Sequence, residues 1–145
     1  MSERPDDRHQ RPAGVSDTTV EALGKLSEAL EKIERVRGHL YTMHQLTGAA
    51  DFALDDAVEL LRKAGHEELA DRVDRELIGC NLLAGRWTFQ IVEEFDDGYY
   101  ALFREIEKQA RDQLVGGRRH LFEAELKEKR RTRGLPGHAA RPSEA

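Results

Sequence analysis

From residue 17 onward the apolar positions recur with the three-then-four rhythm of an α-helix, and the rhythm stops only at glycines. Leu23, Leu26, Leu30, Ile33, Arg37, Leu40, His44 and Thr47 form the longest such run. Four apolar positions come first; polar groups then enter the same stripe. Ser16 or Asp17 can accept a hydrogen bond from the free amides of a first turn, so the run predicts a helix opening there. Thr47-Gly48 is the expected break. A second helix is expected over Ala50 to Ala64, on a face of Leu54, Ala57, Val58 and Leu61, with Gly65 closing it. A third opens at His66-Glu67-Glu68 and carries Leu69, Val73, Leu77 and Cys80 on one side, its early acids complementing the helix dipole.

The stretch from Gly85 to Ile106 holds the single tryptophan and a large share of the phenylalanines and tyrosines. Trp87, Phe89 and Ile91 alternate as in a strand, but the alternation lasts only five residues. Thr88, Ile91, Val92, Phe95, Tyr99, Leu102, Phe103, Ile106, Ala110 and Leu114 keep helical spacing as far as Val115. The longer pattern predicts one long helix with Gly98 inside it, ended by Gly116-Gly117. A last helix is expected from Arg118 to about Arg133, with Leu121, Phe122, Glu125 and Leu126 along it.

All four prolines lie outside residues 13–135, and proline is the strongest helix breaker. The expected fold class is therefore all-α: an antiparallel bundle of four to five helices over residues 17–133. Disordered tails are expected at 1–16 and 134–145, where the sequence is polar and aperiodic. Composition agrees, because 39% apolar and 35% charged residues suit a thin core with much exposed surface. The excess of arginine over lysine points to a GC-rich bacterial genome.

Charge and motif content narrow the functions. A net charge of −5 gives no reason to expect general nucleic-acid binding. No apolar window spans a bilayer, and no apolar run follows the first residues, so a cytoplasmic location without membrane attachment is expected. One cysteine, Cys80, excludes an intramolecular disulfide or a cysteine zinc cluster, and is read as a small core residue. No Gly-x-Ser-x-Gly elbow and no phosphate loop is present. The comparison with di-iron helical bundles extends to fold class alone, since no histidine has a glutamate three residues before it.

Three constellations remain. His120 with Glu123, Glu93 with Asp97 one turn apart, and an inward-facing His44 have the donor types for a mixed nitrogen–oxygen metal site. The competing reading places Gln90, Glu93, Glu94 and Asp97 on a solvated face, meeting Arg86 or Arg118 and Arg119. From Arg118 to Arg133 seven basic residues stand against three acidic ones, with Lys129, Arg130, Arg131 and Arg133 nearly contiguous, which suits phosphate contact or merely a cationic helix end. Arg37 on the apolar stripe is expected to meet a carboxylate from another helix, as a register or oligomer device; the alternative is that the stripe faces solvent there. Trp87 is either a core anchor or a contact anchor for a partner. The expectation is a non-enzymatic protein-interaction or scaffold module, with a protein partner or homo-oligomer. A metal- or small-ligand-binding bundle and nucleic-acid contact through the last helix are the alternatives, and no other cofactor is implied.

Overall fold

The computed structural model describes residues 3–142. The fold is all-α: α1 Asp17–Lys63, α2 Glu67–Arg72, α3 Thr88–Phe95, α4 Ala101–Val115 and α5 Leu121–Arg130. A wider π-turn, Val73–Leu77, extends α2, and another, Asp96–Tyr100, joins α3 to α4 without a break. No strand occurs among the described residues, so the helical reading of residues 87–91 holds from Thr88 onward.

Ser16 opens α1, its Oγ accepting the amide of Thr19 at 3.1 Å. The helix then runs for 47 residues, without the expected break at Thr47-Gly48. A helical glycine costs roughly 1 kcal/mol, too little to end a helix flanked by Ala49 and Ala50 with no proline nearby. Thr47 turns its hydroxyl back onto the Met43 carbonyl at 2.7 Å, so it too stays inside the helix. The end comes where glycine takes the left-handed conformation: Gly65, at φ 86°, donates to the Arg62 carbonyl, and His66 donates to that of Leu61. These two bonds are the paired closure that satisfies the last free carbonyls.

Cys80 is not a core residue. The helical segment ends at Leu77, Gly79 turns at φ 72°, and the thiol is left exposed in the loop beyond. The last helix is also shorter than expected. Gly116 and Gly117 both take positive φ, as does His120 at 59°, so helical geometry resumes only at Leu121.

Two compact units divide the chain, one of residues 3–32 and 102–142, the other Ile33–Ala101. In the first, Val20, Leu23, Val115 and Leu121 form a closed apolar cluster, with Val15 and Ala110 against it. Gly24 lets the Phe122 ring lie close against α1, and a Cβ there would fall 2.8 Å from the ring. Glu107 is buried and takes a hydrogen bond from Arg111 at 2.7 Å. Of the tails expected to lack order, residues 1, 2 and 143–145 lie outside the described residues. Within the described part, Arg11 pairs with Asp17 and Glu125, and Arg118 donates to the Gln10 carbonyl at 2.6 Å.

The second unit is organised differently. Its buried side chains are Ala70, Val92, Tyr100 and the polar Thr88. Along α1 within this unit the three-four stripe continues through Asp51, Leu54, Val58 and Leu61, every position only half-buried. Pairs between α1 and the α3 region run in opposite order: Glu34 with Tyr100, Arg37 with Asp96, His44 with Thr88. The two segments are therefore antiparallel.

Candidate functional site

The polar positions of the α1 stripe meet the α3 side of the Ile33–Ala101 unit in three layers. Arg37 supplies the middle layer. Its Nε donates to Asp96 Oδ1 at 2.8 Å and its Nη2 to Oδ2 at 3.1 Å, a two-pronged pairing that matches the planar guanidinium to the carboxylate. Tyr41 and Tyr100 carry their rings 5.2 and 4.8 Å from the guanidinium carbon, so aromatic faces enclose the cation as well. The hydrogen bond from Arg37 holds the Asp96 carboxyl below the usual carboxylate range, and the same bond raises the Arg37 guanidinium. The carboxylate that Arg37 required is thus Asp96.

One layer toward the start of α1, Tyr100 donates its hydroxyl to the Glu34 carboxylate, 2.7 and 2.9 Å from its two oxygens. Phe95 stacks on Tyr100 with centroids 5.9 Å apart. On the other side, His44 Nδ1 and Thr88 Oγ1 lie 2.6 Å apart, and Thr88 is fully buried. Thr88 begins α3, where the Gln90 side chain returns to accept the Trp87 amide at 2.6 Å. Asp96 and Tyr100 open and close the π-turn and, four residues apart, lie on one side of the segment, so both address α1.

The candidate metal donors are not gathered. Among the described residues no three His, Cys, Asp or Glu side chains are grouped as a metal ion requires. Glu93 and Asp97 are exposed, His44 is engaged by Thr88, and His120 and Glu123 stand 3.9 Å apart with both side chains largely in solvent. Glu94 meets Arg86 at 2.8 Å, in keeping with a solvated, ion-paired acidic face. Trp87 is half-buried. Arg130 is exposed, whereas the Arg131 side chain is only 3% exposed and is taken up by Glu128 at 2.6 Å and Glu3 at 3.6 Å.

Sequence reasoning missed Glu34, Tyr41, Thr88, Asp96 and Tyr100 as members of one cluster. The signal for Asp96 was present: a helix facing Arg37 needed an acid on its apolar side, and Asp96 sits one residue after Phe95 on that side. In each layer a side chain of α1 pairs with one of the α3 region: Glu34 with Tyr100, Arg37 with Asp96, His44 with Thr88. The arrangement pairs opposite charges and aligns α1 with the α3 region.

The larger feature of the same unit is apolar and uncovered. Leu46 is 65%, Phe52 75% and Leu60 63% exposed, all on α1, and Leu69, Leu77, Leu82, Leu83 and Phe89 are exposed beyond it. The α1 segment therefore presents apolar side chains on its stripe and also on a second face, a pattern typical of helices that end up covered. No helix among the described residues is long and apolar enough to cross a membrane. Comparison with known protein families, curated proteins and solved structures finds no match.

Proposed function

We propose that this chain is a non-enzymatic interaction module, which acts by packing the uncovered apolar helix faces of its Ile33–Ala101 unit against another polypeptide chain. The observation that carries the reading is the exposure of Leu46, Phe52 and Leu60 on a helix whose stripe is already in use. Single exposed leucines are ordinary in folded proteins; here three large apolar side chains and the exposed Ala49 and Ala53 lie off the half-buried stripe of one helix, and apolar groups gathered on an exposed side mark interaction sites. The three polar layers fit this role as a register device, keeping α1 aligned with α3 while its other face is offered outward.

The test combines native mass spectrometry with binding of a hydrophobic dye to the full chain. An assembly heavier than the 16.5 kDa chain, or a monomer that binds the dye strongly, supports the reading. A monomer that binds no dye overturns it, because the apolar faces would then be covered within the chain itself.

A further inference from the structure

The turn between α4 and α5 and the short 3-10 turn Asp7–His9 together line a cleft of about 360 Å³ within the first unit. Among the described residues its walls are Arg8, His9, Gly116, Gly117, Arg118 and Arg119, with Asp7 the one acid. That volume lies at the lower end of the range for small-ligand sites. Gly116 and Gly117, at φ 62° and 78°, turn the chain here and bring no side chain to fill the space.

Two arginines of this cleft are unlike most others in the chain. Arg11, Arg37, Arg62, Arg86, Arg111 and Arg131 each meet a carboxylate at 2.8 Å or less. Arg118, half-buried, donates one Nη1 bond to the Gln10 carbonyl and has no ion-pair partner among the described residues. Arg119 is exposed, and its guanidinium has neither a hydrogen bond nor an ion pair among them. A guanidinium carries five N–H donors, so most of those on Arg118 and all of those on Arg119 are left for solvent or a ligand. The acids close by are already paired. Asp6 binds Arg8 at 3.1 Å and His9 at 2.8 Å, and Asp112, beside Gly117, binds Lys108 at 2.7 Å. Counting Asp6 and Asp7 against Arg8, Arg118 and Arg119 leaves the cleft at 3 − 2 = +1 with His9 uncharged, in a chain of net charge −5. The end of α4 adds only about half a negative charge, too little to balance both Arg118 and Arg119.

We infer that this cleft binds a small phosphate-bearing anion, held by the guanidiniums of Arg118 and Arg119 with Arg8 also on its wall. Planar guanidiniums match phosphate oxygens in pairs. The one ring among the described lining residues is the His9 imidazole, held by Asp6, so a nucleobase finds no free platform on which to stack. A free phosphate or a simple phosphate ester therefore fits the cleft better than single-stranded nucleic acid. The site belongs to the first unit, not to Ile33–Ala101, so it stands apart from the interaction proposed above.

Isothermal titration calorimetry of the full chain at low ionic strength tests this, with inorganic phosphate and glycerol 3-phosphate in separate runs. Saturable one-to-one binding of either is expected, and the tighter of the two tells a free phosphate from an ester. Arg119→Gln alters a guanidinium bonded to nothing among the described residues, so the fold should survive. It should weaken binding at least about 10-fold, as the loss of a charge-assisted hydrogen bond implies. Arg130→Gln, which removes an exposed cation of α5, should leave binding unchanged. No saturation by about 10 mM of either probe overturns the inference. So does binding that survives Arg119→Gln, or that Arg130→Gln weakens equally, since either means attraction to surface charge at large. A single-stranded oligonucleotide that displaces both probes and binds more tightly would put nucleic acid in the cleft and overturn it too.

Discussion

The two units of this chain use one helix in opposite ways. Where α1 passes through residues 17–32, its apolar stripe closes a small core of Val20, Leu23, Val115 and Leu121. Where it passes through residues 33–63, the stripe carries Arg37 and His44, the positions are half-buried, and large apolar groups point elsewhere. The first unit draws its order from dispersion and the hydrophobic effect. The second draws its alignment from directional contacts, which fix register well but contribute less net stability than the same volume of apolar packing. The closed apolar cluster and the three polar layers therefore lie in different units of the chain. The unit aligned by the three polar layers is also the one left with an open apolar face.

Leucine-to-alanine substitution should divide the units most sharply. Leu121→Ala empties a closed core and is expected to cost about 3 kcal/mol, read as a fall in the denaturation midpoint. The same change at Leu60 should alter monomer stability by less than about 0.5 kcal/mol. If the two variants unfold at equal denaturant, the contrast between closed and open faces is wrong.

Glycine gives a finer comparison on the same helix. Gly24→Ala pushes a methyl into the Phe122 ring and should destabilise by roughly 1–3 kcal/mol. Gly48 has open space around it, so Gly48→Ala should raise stability by about 1 kcal/mol through helix propensity alone. Thermal melts of the two variants beside the wild type check the opposite signs. Two shifts of the same sign would mean that Phe122 yields, or that the helix near residue 48 is not intact.

Acid probes the polar layers with the smallest expected effect. The Asp96 carboxyl titrates below its unfolded value because Arg37 bonds to the charged form. Its contribution is therefore fully present above the unfolded value of about 4 and is lost as pH falls through the lower folded value. Wild type should melt above Asp96→Asn at pH 7, and the gap should close progressively below about pH 4. A gap that stays constant to pH 2 would show that the Arg37 pairing does not stabilise the second unit.

Several features could be read along the chain because they depend on neighbours in sequence. Helical periodicity, the Ser16 start, and the closures at Gly65 and Gly116-Gly117 are local events, set by backbone hydrogen bonds and by the freedom of glycine at positive φ. Arg37's need for a carboxylate was legible as well, because a charge on an apolar stripe must be paired wherever it lies. The break expected at Gly48 failed for an energetic reason: one glycine costs less than the surrounding alanines and the continuing stripe can hold.

What the sequence by itself determined was the helical class, the start at Ser16, the closures at Gly65 and Gly116-Gly117, and the polar interruption of the α1 stripe. Only the tertiary structure decided which acid answers Arg37, that Tyr100 answers Glu34 beside it, and that Cys80 stays outside the core. It also decided which of two apolar faces on one helix is used at home. Periodicity reports that a face is apolar, but whether that face is covered depends on segments tens of residues away, and spacing along one helix carries no record of them.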